Sequence, residues 1–323
     1  MNINTNQISY LAIFVFTVMN IVYTQSSQHS GLPMPQLKLL ENEIHIPFTI
    51  DPSFPVPVIQ VKINGQDSAR FVVDTGMSGT ILVRKELADR MKFKVIGHAM
   101  AGDASKKNMK KVQLIEVDSL IVEELVISNI ISITMDANAD HIASIPSNLD
   151  GILGMQLFSN YILTIDYPNK EIILQKDLSD NDSRKDFIPY NYENNAIEIS
   201  VDVSNQNISL LVDTGHRGTI TLPMSYSTKL PLSETLKPFG KSATVTNTYT
   251  REKSKIKGLV NIAGNTILNP PIVFADEHSP NLLGFGILEH FKISIDQINK
   301  LIRFSRESTK PIKNVKLIAE KIL

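Results

Sequence analysis

The 323-residue chain is long enough for two lobes or one large core, and its 32 Lys and Arg nearly balance its 33 Asp and Glu. No basic excess points to nucleic acid or to an anionic membrane surface. The lack of Cys excludes disulfides, thiol nucleophiles and thiolate metal sites, and seven scattered His without ligand-like spacing speak against a zinc enzyme.

Residues 10–23 (YLAIFVFTVMNIVY) form an apolar run followed by Thr24-Gln25-Ser26-Ser27. Its length suits the apolar core of a secretory signal and is short for a membrane span. Residues 1–27 are therefore expected to be a signal peptide and the mature chain to be exported, periplasmic or secreted. The rival expectation is an anchor by an uncleaved N-terminal segment. An exported chain without Cys suits a bacterial source.

Alternating residues 44–50 and 58–63 read as strands, and Asn64-Gly65 marks a hairpin. Residues 70–74 return as a strand ending in Asp74-Thr75-Gly76. A short strand follows at 79–83, then good helix formers at 84–91. Ala101-Gly102-Asp103 has turn chemistry, and residues 112–135 are rich in Val and Ile, as two or three strands are. The half closes on Ile152-Leu153-Gly154 and the run from Tyr161 to Asp166, with a turn at Pro168-Asn169-Lys170. Charged residues 176–185 read as a linker.

The chain then repeats itself. Phe71-Val72-Val73-Asp74-Thr75-Gly76 is answered by Leu210-Leu211-Val212-Asp213-Thr214-Gly215, and Gly79-Thr80-Ile81 by Gly218-Thr219-Ile220. Leu153-Gly154 is answered by Leu283-Gly284, and Ile165-Asp166 with Asn169-Lys170 by Ile295-Asp296 with Asn299-Lys300. A repeat this long is a duplicated lobe rather than a solenoid unit. The expected domains are a first lobe over 28–180, a second over 181–310 and a short tail over 311–323.

A lone Asp-Thr-Gly is weak evidence. Two copies, each on an apolar strand and each followed by an apolar-apolar-Gly element, resemble the aspartic peptidases of the pepsin and retropepsin superfamily. The Tyr161–Asp166 and Phe291–Asp296 segments resemble bacterial retropepsin-like members, with two Asp-Thr-Gly lobes in one chain. The resemblance implies a mainly β, bilobal acid-protease fold, with two pseudo-two-fold-related β-barrel-like lobes and short helices. It implies catalysis by Asp74 and Asp213, and no cofactor or metal. Thr75 and Thr214 would lock the two loops across the lobes, and Gly76 and Gly215 would leave room for substrate backbone. Ala101, Gly102 and Asp103 would form the tip of a substrate-covering flap. The second-lobe stretch Phe239-Gly240-Lys241-Ser242 would have no covering role.

Two neighbouring carboxylates cannot both ionise cheaply, a behaviour for which aspartic proteases are the reference case. One would activate a water while the other donates to the peptide carbonyl. The expected partner is a peptide or protein substrate, with no nucleic acid and no stable membrane association after signal removal, acting as a monomer. The alternative is a catalytically silent peptide-binding protein. The family commonly has Ser, Thr or Ala after Asp-Thr-Gly, whereas this chain has Met77 and His216. A His216 ring turned toward the acids would be raised in pKa and tune the pH response. A His216 facing solvent would do neither. Asp166 and Asp296 read as turn caps.

Overall fold

The computed structural model describes residues 12–14, 20–22, 35–39, 42–65, 67–102, 109–135, 146–177, 184–192, 196–243 and 248–317. The fold is mainly β: among the described residues there are two ten-stranded sheets, one per lobe, and a six-stranded sheet joining them. Among the described residues, helix is confined to short pieces, chiefly Lys85–Met91 and Phe285–Leu288.

Strand order shows the duplication directly. In the first lobe the Asp67–Asp74 strand lies between Phe54–Ile63 and Gly151–Gly154, and the latter leads to Ile81–Arg84. In the second, Gln206–Val212 lies between Glu198–Val203 and Leu282–Leu283, which leads to Ile220–Pro223. Each acid-bearing strand is apolar on both faces because it is covered on both. Phe71, Val72, Val73, Leu210, Leu211 and Val212 are all buried. The first hairpin turns where the sequence places it, with Asn64 and Gly65 both at positive φ.

The apolar-apolar-Gly elements run parallel to the acid-bearing strand and antiparallel to the strand after it, Gly154 pairing with Asp74 itself. The crossing is tight enough to demand glycine. A Cβ on Gly154 would lie 2.3 Å from the Gly79 carbonyl oxygen, and one on Gly284 would lie 2.5 Å from the His216 carbonyl oxygen.

The lobes are joined where the second pair of repeats meets. Ile162–Asp166 pairs antiparallel with Lys292–Asp296, Thr164 opposite Ser294, and their hydroxyls bond at 2.9 Å. Asp166 accepts from the Asn169 amide and side chain, and Asp296 does the same for Asn299, so each closes its own turn. Met155, Phe158, Phe285 and Phe291 are core, and one continuous apolar cluster runs through both lobes.

Three sets of contacts lie near the expected boundaries. Of the N-terminal apolar run, residues 12–14 and 20–22 are described, and they form strands. The first pairs with residues 241–243 and the second with residues 100–102. Of the linker, Arg184 is tied to Asp177 and Asp296. In the tail, Ile312 is buried and exchanges backbone hydrogen bonds with Thr266 and Leu268, so the chain packs back on the second lobe. Among the described residues, no helix is long and apolar enough to cross a membrane.

Candidate active site

Asp74 and Asp213 stand at the ends of matching strands and meet at the lobe interface, both fully buried. The loops that carry them are clamped by four reciprocal hydrogen bonds. Thr75 Oγ1 donates to the Val212 carbonyl at 2.7 Å and accepts from the Thr214 amide at 3.0 Å. Thr214 Oγ1 donates to the Val73 carbonyl at 2.7 Å and accepts from the Thr75 amide at 3.0 Å. Each hydroxyl thus satisfies one buried donor and one buried acceptor of the other lobe. A β-branched strand residue would fit there, but only one with a hydroxyl completes the clamp.

The glycines are fixed by the opposite acid. A Cβ on Gly76 would lie 2.6 Å from Asp213 Cγ, and one on Gly215 would lie 2.7 Å from Asp74 Cγ. Each loop therefore presents bare backbone to the carboxyl of the other lobe.

The two acids are not equivalent. Asp74 Oδ1 accepts from the Gly76 amide at 2.7 Å. Among the described residues, Asp74 Oδ2 and both oxygens of Asp213 have no hydrogen-bond partner. Burial pushes the Asp74 carboxyl up to about 7, with the loop amides opposing. Burial and then the charge of Asp74 push Asp213 well above the carboxylate range, and the amides of His216 and Gly215 lean against that rise. The pair is built to keep a proton, which lets one group donate while the other accepts.

His216 is a correction. It is neither solvent-facing nor raised in pKa. Its ring is buried in the second lobe, Nε2 lies 2.9 Å from Thr221 Oγ1, and Gly218 and Gly284 make room for it. Burial lowers its pKa to about 3, helped by the charges of Arg251 and Arg217, so the ring is neutral. Desolvation outweighs any pull from the dyad. Met77, its counterpart, is buried among Phe54, Ala99, Ala101 and Ile152.

The flap is corrected in detail. Lys94–Gly102 and Lys110–Val122 form a hairpin, but Ala101 and Gly102 belong to its first strand, Ala101 pairing with Lys110. A Cβ on Gly102 would lie 2.3 Å from Met109 Sδ, the end of a flexible side chain. Asp103 lies outside the described residues. The stretch from Phe239 to Ser242 sits in the matching hairpin, Lys237–Ala243 with Thr248–Lys255, at the same place in its sheet. Both lobes therefore carry such a hairpin.

Tyr167 and Arg251 were not singled out by the sequence, and Arg217, read there as able to face outward, is buried. Tyr167 packs edge-on against Phe48 and Phe285, each at 5.8 Å. Its hydroxyl is raised well above the usual tyrosine value by burial, then by the charges of Asp213 and Asp74. The available signal was mismatch between the repeats, since the second copy has Gln297 where the first has Tyr167. Among the described residues, no three His, Asp or Glu gather as metal ligands.

Two lobes, each delivering one Asp-Thr-Gly acid to a shared clamp, define a bilobal acid-protease fold. Residues 59–157 match the family described as Aspartyl protease. No curated protein matches the sequence. The crystal structure of edgp is 11% identical over 83% of this chain and 96% of that one, with a TM-score of 0.54. Basic 7S globulin from soybean is 14% identical over 83% and 95%, with a TM-score of 0.51. These two likenesses concern the fold. A retropepsin-like aspartic protease from Rickettsia conorii is 22% identical over 43% of this chain and 92% of that one, with a TM-score of 0.28.

Proposed function

We propose that the chain is an exported aspartic endopeptidase that hydrolyses peptide bonds with a water activated by Asp74 and Asp213. The observation that carries this is the pair of buried, proton-retaining acids held across two lobes by reciprocal Thr75 and Thr214 bonds. Asp74, the acid with the lower pKa, ionises first and takes a proton from the water as it attacks the carbonyl carbon. Asp213, held neutral by burial and by the Asp74 charge, donates to the carbonyl oxygen. Collapse of the tetrahedral adduct returns a proton to the leaving amine, with no covalent enzyme intermediate. Both acids come from one chain, so the active unit is a monomer and specific activity is independent of dilution. Export rests on the apolar run at residues 10–23 alone.

The catalytically silent peptide-binding reading is favoured by one observation. Met77 has no hydroxyl, and His216 is turned to Thr221, so neither supports the dyad as a small hydroxyl residue would.

Incubation of the protein with a diverse peptide mixture from acidic to neutral pH, with and without a statine inhibitor, separates the two. The peptidase reading expects statine-sensitive cleavage whose acid limb lies near neutrality. Below about 7 Asp74 is protonated and no longer a base, so activity falls as pH falls. Peptide binding without cleavage at any pH would establish the silent reading.

A further inference from the structure

We propose that Gln297 is a positioning residue for the dyad: it reaches from the second lobe to the loop of Asp74 in the first, and so makes Asp74 rather than Asp213 the base. The role as a base rests on the peptidase reading, whereas the hold on the loop does not. The two acids differ although the clamp between their loops is symmetric, so the difference comes from outside the clamp. Asp74 Oδ1 accepts from the Gly76 amide at 2.7 Å, whereas both oxygens of Asp213 lack a hydrogen-bond partner among the described residues.

The contacts beneath the two loops differ as well. On both sides the residue after the crossing glycine ties the loop from below. The Met155 amide donates to the Met77 carbonyl at 3.0 Å, and the Phe285 amide to the His216 carbonyl at 2.8 Å. Met77 and His216 in turn donate their amides to the carbonyls of Asp74 and Asp213, at 3.3 and 3.2 Å. The first of these chains carries on into the other lobe, because Gln297 Nε2 donates to the Met155 carbonyl at 3.0 Å. The matching residue of the first lobe is Tyr167, which sets its ring 5.8 Å from the Phe285 ring. Its buried hydroxyl has no hydrogen-bond partner among the described residues. The Phe285 carbonyl accepts instead from the Glu289 amide at 2.9 Å, as the opening turn of an α-helix does.

Gln297 stands on a firm base. It follows Asp296 at the end of a strand of the joining sheet, and Asp296 closes the turn on the Asn299 amide and side chain at 3.0 and 2.8 Å. The next residue, Ile298, is 62% exposed, while Gln297 is half-buried and turned in toward Met155. Held from below, the Met77 loop keeps the amides of Gly76 and Met77 aimed at the Asp74 carboxyl, and amides that bond a carboxylate favour its ionised form. Asp74 faces Asp213, and the Tyr167 hydroxyl feels the charge of both. Gln297 carries no charge, so it acts through the backbone that it holds.

The test is carbon-13 NMR of the aspartate carboxyls across pH, on the full chain and on Gln297→Met, with Asp74→Asn to assign the pair. Methionine keeps the reach of the side chain and removes the donor. In the unmutated chain Asp74 should ionise first and alone. In Gln297→Met the first step should move above about 7 and be shared with the Asp213 carboxyl. Cleavage by Gln297→Met should fall roughly tenfold in kcat with KM nearly unchanged. Its acid limb should also move up in pH, which a loss of stability alone would not produce. Should Gln297→Met not fold, Gln297→Asn, which keeps the amide but draws it back by a methylene, should show the same changes in smaller measure. A folded variant in which Asp74 still ionises first and alone, with the acid limb unmoved, overturns the proposal. A shared first step in Gln297→Met with no cleavage by the unmutated chain overturns the peptidase reading and leaves the hold of Gln297 on the loop standing.

Discussion

The two Asp-Thr-Gly loops share a backbone and differ in what lies behind it. Their clamp is symmetric, with matching distances in both directions. One residue beyond the glycine the symmetry ends. Met77 enters an apolar cluster, whereas His216 turns to Thr221 and is followed by Arg217 at the lobe boundary. The parts that hold the acids must obey the two-fold axis, because each lobe completes the other. The walls need not.

The symmetric part should break symmetrically and with the largest effect. Thr75→Ala orphans the Thr214 amide and the Val212 carbonyl, and Thr214→Ala orphans their counterparts. Each orphaned buried group costs about 1–3 kcal/mol. Both variants should lose similar stability in denaturant melts, while Thr→Ser at either site should keep most of it. A loss confined to one loop would mean that the clamp is not shared.

The asymmetric part should appear as pH dependence of opposite sign. Asp74 has a folded pKa of about 7, above its ordinary value, so its contribution to stability is fully present at acid pH and lost as pH rises through about 7. His216 has a folded pKa of about 3, below its ordinary value of 6.5, so its contribution is full above 6.5 and lost as pH falls toward 3. Melting temperature measured from pH 3 to 8 should fall less on the neutral side in Asp74→Asn and less on the acid side in His216→Met. The second variant also makes the second loop resemble the first. An acid limb of stability unchanged by His216→Met would place the ring in a different environment.

The smallest effects belong to the turn caps. Asp166→Ala and Asp296→Ala each remove two hydrogen bonds to the following Asn, and ion pairs with Lys292 and Arg184 respectively. Each should lower stability by about 1–2 kcal/mol with little effect on cleavage. A loss of activity without a loss of stability would give these acids a role in the chemistry.

Much of this was legible in the sequence because duplication makes it so. Asp74 and Asp213, their threonines and glycines, the crossing Gly154 and Gly284, and the Asp166 and Asp296 caps all occur twice in register, and local strand and turn chemistry fixes where each falls. What occurs once was not legible. The direction of the His216 ring depends on space opened by Gly218 and Gly284, residues far apart in the chain. Ala101 and Gly102 read as a turn because of their glycine, and only the pairing of Ala101 with Lys110 places them on a strand. Arg217 and Arg251 are set over the rings of Phe54 and Phe239, whose proximity is tertiary.

The central claim is that Asp74 and Asp213 act as one unit on one water. Initial rates of peptide cleavage by the unmutated chain, Asp74→Asn, Asp213→Asn and the double variant test it most directly, with circular dichroism to verify folding. Each single variant should lose cleavage, and the double variant should be no worse than either, because residues acting together are not additive. Substantial turnover by either folded single variant would contradict the shared-water account.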